Sequence, residues 1–91
     1  MVIVRIPAAL RRFTAEKEEV AVEATNVQEL INALDRKCPG IKSRICDDAG
    51  NVRRFVNLFR NSTDIRTEQN LDTPLHAGDE VSIIPAIAGG V

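Results

Sequence analysis

One long stretch of the sequence has helical periodicity. Val27, Leu30, Ile31, Leu34 and Cys38 recur at the spacing that puts them on one side of an α-helix between Thr25 and Pro39. Thr25 and Gln28 have the spacing of a capping box, and Pro39-Gly40 stops the helix. One amphipathic helix cannot bury its own stripe, so a second layer must cover it. The other apolar segments have strand character. Val2-Ile3-Val4-Arg5-Ile6 is a β-branched run ended by Pro7, with Val4 and Ile6 expected inward and Ile3 and Arg5 outward. Glu18–Glu23 alternates, and its link to the first strand, Pro7–Thr14, has Leu10 and Phe13 as anchors. That pattern predicts an antiparallel hairpin.

Beyond the helix, Ile41–Cys46 reads as a short second helix and Arg53–Arg60 as a third strand. In that strand Val56 and Leu58 should face inward, and Phe55, Asn57 and Phe59 outward. Ile65-Arg66 begins a short fourth strand, and Leu71 and Leu75 anchor the connector that follows. Gly78-Asp79 turns into a last strand, Glu80–Pro85, with Val81 and Ile83 inward. The first and last strands are the most apolar, as central strands are. The reading is an α+β domain over residues 1–86, a mixed sheet with one main helix on one face, and a flexible tail over 87–91.

Composition narrows the function. With 91 residues the chain fits one domain and buries roughly 60–65% of its unfolded surface, too little for a deep catalytic cleft. The formal net charge is −1 and the aromatics are three phenylalanines, which argues against nucleic-acid binding by a basic field or by base stacking. No apolar run approaches the ~20 residues that span a bilayer, and MVIVRIPAALRR lacks the order of a signal peptide. Cys38 and Cys46 match no metal spacing and read as reduced thiols of a cytoplasmic protein. His76 reads as a surface residue of a loop. Arg11-Arg12, Arg53-Arg54 and Glu16–Glu19 read as solvated runs, with the arginines as an alternative docking element for an acidic partner. No acid/base pair and no nucleophile stand out.

Two features remain. Ile3, Phe59 and Ile84 should share the sheet face away from the helix, where an apolar patch marks a partner surface. The sequence also closes on Ile84-Pro85-Ala86-Ile87-Ala88-Gly89-Gly90-Val91. Without Cβ atoms, Gly89 and Gly90 can lie extended in a narrow channel and bring a carbonyl close to another enzyme's reactants.

Arg54-Phe55-Val56-Asn57, Asp64-Ile65-Arg66, Gly78–Pro85 and Ala86–Gly90 together resemble the ThiS/MoaD family of ubiquitin-like sulfur carriers, over nearly the whole chain. The resemblance is nearest to the family's cysteine-biosynthesis carriers, which likewise place Ile-Pro and Leu-Arg after the first strand and end Pro-Ala-x-Ala-Gly-Gly. It implies a β-grasp fold. It also implies a protein substrate and not an enzyme: a ubiquitin-activating-type partner, using ATP and Mg²⁺, adenylates the carboxylate of Gly90, and sulfur then displaces AMP to leave a thiocarboxylate. Gly89 and Gly90 would be the reactive end, with no catalytic residue, bound cofactor or metal in the chain itself. Ile3, Phe59 and Ile84 would be the docking residues. A pyridoxal-phosphate cysteine synthase would accept the sulfur. A metalloprotease would clear the product and, cutting between Gly90 and Val91, expose the glycine. Molybdopterin or thiamin thiazole synthesis, or protein modification through an isopeptide bond, are the alternatives.

Overall fold

The computed structural model describes residues 1–85. Five strands form one mixed sheet in the order β2-β1-β5-β3-β4. They are β1 (Val2–Arg5), β2 (Glu19–Val22), β3 (Val56–Arg60), β4 (Thr63–Asp64) and β5 (Glu80–Pro85). Helix α1 (Val27–Lys37) covers one face, and α2 (Lys42–Ile45) follows it. β1 pairs antiparallel with β2, with Val2 opposite Val22, so the expected hairpin is present. β1 also pairs parallel with β5, with Ile3 opposite Glu80, and β5 pairs antiparallel with β3, with Leu58 opposite Ile83. The two strands with the strongest apolar signal therefore sit together inside the sheet. This is the β-grasp arrangement.

Alternation places the core as expected. Val2, Val4 and Ile6, then Val56 and Leu58, then Val81 and Ile83 are all buried. They meet Val27, Leu30, Ile31, Leu34 and Cys38 from the helix stripe. Ile41 and Ile45 close the core beside α2, and Leu10 closes it from a 3-10 helix over Ala8–Phe13. Phe13 is half-buried against the core, beside the chain's turn at Gly40, where an added Cβ would lie 3.2 Å from its ring. Leu75 is buried, whereas Leu71 only packs against the core edge.

Three local expectations are corrected. The N-cap is Asn26 and not Thr25: its Oδ1 accepts from the Glu29 N–H at 2.8 Å. The Glu29 carboxylate reaches one residue farther back and accepts from the Thr25 N–H and hydroxyl, so Asn26 and Thr25 both engage Glu29, and Gln28 takes no part. The third strand begins at Val56, because the Val56 N–H donates to Arg53 O and closes a turn over Arg53–Phe55. Ile65-Arg66 is the start of a 3-10 helix over Ile65–Thr67 and not of a strand. The Asp64 carboxylate accepts from the Arg66 N–H and caps that turn, while Ile65 is drawn into the core.

The loop before β2 is unusual. Thr14–Lys17 is a turn closed by Lys17 N–H to Thr14 O, with φ of 54° at Ala15 and 65° at Glu16. Two positive φ values in succession define a type I′ turn, which favours Asn-Gly. The buried Thr14 hydroxyl points at the carbonyls of Arg11 and Lys17 and fixes the loop from within. No helix of the described residues is long and apolar enough to cross a membrane.

Candidate functional site: the outer sheet face and the root of the tail

Gly89, Gly90 and Val91 lie outside the described residues, as does the proposed boundary at residue 86. What the structure positions is the root from which they extend. β5 ends at Pro85, opposite Val56, and Ile84 is opposite Asn57. Pro85 can end a strand there: it pairs with Val56, whose own N–H is turned to Arg53 O, so no ladder hydrogen bond is lost.

Ile3, Phe59 and Ile84 all occupy outward positions of their strands, alternating with buried neighbours. They differ in what surrounds them. Ile84 is exposed, while Phe59 and Ile3 are half-buried. Phe59 is opposite Ser82, two residues from Ile84, so the two are diagonal neighbours at about 7–8 Å. Ile3 is opposite Glu80, at the far end of β5 from Ile84. Between them Arg5 holds Glu19 and Glu80, each at 3.0 Å, and both carboxylates push the Arg5 guanidinium's pKa up, Glu80 first. The outer face is thus an apolar pair near the tail root and a charged strip beyond it. The three residues do not form one continuous patch.

The Gly78-Asp79 turn at the other end of β5 is a polar clamp. Asp79 accepts from the His76 backbone N–H at 2.9 Å and from the Asn61 side chain at 3.3 Å, with Arg60 at 3.6 Å. These contacts, the His76 N–H first, hold the Asp79 carboxyl below its usual range. Arg60 also forms a two-pronged pair with Glu68 at 3.1 Å, which holds Glu68 low in the same way. His76 itself is exposed, as expected for a loop histidine. Cys38 caps α1 and Cys46 follows α2; both are buried and unbridged, and burial pushes the Cys46 thiol's pKa up. A raised thiol is a poor nucleophile. Among the described residues no group of three or more His, Cys, Asp or Glu is placed to hold a metal.

Two residues at the tail root were not singled out by sequence reasoning. Phe55 is exposed in the turn before β3, next to the Val56–Pro85 pair. Arg66 reaches back to that turn and donates to Val56 O at 2.8 Å, to Arg53 O at 3.1 Å and to the Asn57 side chain. β4 has only two residues, so the β3 edge is open at Val56, and the Arg66 guanidinium takes the place of the missing strand. Both residues fall in stretches that carry the family resemblance, but only the strand register brings them together.

Known proteins share this fold and much of this sequence. The profile of the ThiS family matches residues 4–90 and stops at Gly90. The chain is 36% identical over 91 residues to the sulfur carrier protein CysO of Mycobacterium tuberculosis (strain ATCC 25618 / H37Rv), covering 98% of each chain. It is 32% identical over 87 residues to a putative sulfur carrier protein of Archaeoglobus fulgidus, covering 96% of each. Its fold matches a chain in the crystal structure of the Amycolatopsis orientalis BexX/CysO complex with a TM-score of 0.93 and 33% identity, covering 99% of this chain and 100% of that one.

Proposed function

The chain belongs to the ThiS family, and from that premise we propose that it is a sulfur carrier of the CysO kind, serving cysteine biosynthesis in the cytoplasm. The reactive group is the Gly90 carboxylate. A ubiquitin-activating-type partner, supplying ATP and Mg²⁺, lets that carboxylate attack the α-phosphorus of ATP. Pyrophosphate leaves and an acyl-adenylate forms. A sulfur nucleophile then displaces AMP, and the chain carries a thiocarboxylate to a pyridoxal-phosphate cysteine synthase. The carrier contributes the acyl group and a surface. It holds no cofactor and does no catalysis of its own.

The observation that carries this reading is likeness to CysO along the whole of both chains, with the family match ending on Gly90. In this sequence Gly90 is followed by Val91, so its carboxyl is tied up in an amide. A metalloprotease that cuts after Gly90 is therefore part of the proposal. Valine is β-branched and stiff, and would fit poorly in a channel shaped for glycine. The docking surface is the outer face, with Phe59 and Ile84 at its centre and Ile3 at its margin. An aspartate at residue 84 would be desolvated at the contact and weaken it.

The test offers the activating enzyme two purified forms, one ending at Val91 and one at Gly90. Thiocarboxylate is followed as the mass gain of sulfur replacing oxygen. The Gly90 form should load and the Val91 form should not. Equal loading of an intact Val91 form would overturn the processing step. Isopeptide conjugates of either form on lysines of cell protein, with no thiocarboxylate, would replace the carrier reading with that of a modifier.

A further inference from the structure

The register of β3 on β5 fixes what must lie beside any enzyme that takes the tail. Val56 is opposite Pro85, so the Arg53–Phe55 turn is flush with the last described residue of the domain. Gly90 is five residues farther along, a span of at most about 18 Å even if fully extended. A partner that holds Gly90 at its reacting atoms therefore has the Arg54–Phe55 turn within reach.

The turn is built to be met. Phe55 and Ile84 are 47% and 46% exposed, two of the three large hydrophobic side chains so exposed among the described residues, and they flank the Val56–Pro85 pair. The third, Met1, is on β1's side of the sheet. The Arg54 guanidinium lies 5.9 Å from the Phe55 ring centroid. Among the described residues no carboxylate is within 4.0 Å of Arg54, Arg53 or Arg44, as is also true of Arg12, Arg36 and Arg66, whereas Arg5 and Arg60 each hold two; what sets Arg54 apart is its place beside exposed Phe55 at the tail root. Arg53 Nε donates to Ser43 O in α2, so Arg53 is anchored while its charge is left unmatched. The backbone of the turn is held by its own Val56 N–H to Arg53 O bond and by Arg66 from behind. A rigid aromatic residue beside an arginine, both unmatched and pre-organised, is the composition of an interface hot spot.

Resting on the carrier reading above, we infer that the Arg54–Phe55 turn is the anchor by which the chain seats on the activating enzyme. Its occupant is an apolar pocket with a carboxylate rim at the mouth of that enzyme's tail channel. Phe55 fills the pocket and Arg54 meets the rim, while Arg66 acts as a positioning residue that fixes the turn.

The experiment uses the whole chain ending at Gly90 and the organism's own adenylating enzyme as pure protein. ATP–pyrophosphate exchange is measured against carrier concentration for wild type, Phe55→Ser, Arg54→Glu and Arg36→Glu. Arg36 on α1 lies beside Val22 and Glu23 at the opposite edge of the sheet, and its variant makes the same change in net charge. Both turn variants should raise KM at least about tenfold, as loss of a hot-spot side chain does, with kcat within about twofold. KM for wild type should rise with salt, and Arg54→Glu should weaken that rise. Arg36→Glu should behave as wild type. If wild type is adenylated but both turn variants keep its KM, the anchor is wrong and the carrier function stands. If wild type itself gives no exchange, the carrier function fails first. An equal rise in KM for Arg36→Glu would reduce the effect to overall charge and overturn the local anchor.

Discussion

Replacing Arg66 with methionine keeps most of the side chain's length and removes its donors. Three hydrogen bonds are lost, to Val56 O, Arg53 O and Asn57 Oδ1. Water can replace the bonds to Arg53 O and Asn57, which lie in exposed surroundings, so they contribute little net stability. The bond to Val56 O is partly buried, at 2.8 Å from a charged donor. Bonds of that kind are worth about 1.5–3 kcal/mol when fully shielded, and partial exposure brings the expected loss to about 1–2 kcal/mol. For a domain of this size that lowers Tm by roughly 4–15 °C. Urea denaturation gives the total, and amide exchange at Val56 and Asn57 shows where it falls. Arg66→Lys separates charge from shape: one ammonium cannot reach three acceptors in the fan a guanidinium spans, so it should recover less than half the loss. Wild-type urea midpoints together with wild-type exchange at Val56 and Asn57 in Arg66→Met would refute the view that this residue completes the sheet edge.

Three further outcomes follow from the structure. Glu16→Gly should stabilise by about 0.5–1 kcal/mol, because a left-handed conformation costs a side chain about 1–2 kcal/mol and glycine's extra freedom in the unfolded chain returns part of that; a lower urea midpoint would contradict the turn assignment. Leu34→Ala, at a fully buried position of α1, should cost about 2–5 kcal/mol in the same assay, and a loss under 1 kcal/mol would mean the stripe is not the core. Glu29, Glu68 and Asp79 are all held below their ordinary range in the folded protein. Their contribution is therefore fully present above the unfolded-state values near pH 4, and is lost as pH falls through the folded ones. Urea midpoints should fall below about pH 4, less steeply in Asp79→Asn; a flat profile would exclude the clamp at the last turn.

The elements that pack were legible in the sequence because burial has a period. Alternation in β1 and β5 and the stripe on α1 reported the core directly, and the most apolar runs marked β1 and β5 as the central strands. Short-range competition was not legible. Thr25 and Asn26 are both competent caps, and only the meeting of Asn26 with the Glu29 N–H decides between them. Asp64 could precede a strand residue or cap a turn, and it caps because Ile65 gains a place in the core. The outer face was legible in direction but not in grouping: alternation turns Ile3, Phe59 and Ile84 outward, whereas their separation depends on register. The same is true of Phe55 and Arg66, which are eleven positions apart in the sequence: Arg66 donates to Arg53 O and Val56 O on either side of Phe55, bonds that no local pattern encodes.

The parallel pairing of β1 with β5 has a consequence in time. It joins Ile3 to Glu80, nearly the full distance along the described chain, and it lies inside the sheet and not at its rim. Until residues 80–85 are available, β1 has only β2 beside it, and β3 has no partner longer than β4. Such a domain closes late and all at once, because its longest loop must be drawn shut before the central ladder can form. On a ribosome the hairpin and helix would wait, exposed, while the final strand cleared the exit tunnel. The strand that completes the fold is also the one that leads into the Gly-Gly stretch, so a partner that grips the sheet beside Pro85 would meet only chains that have finished folding.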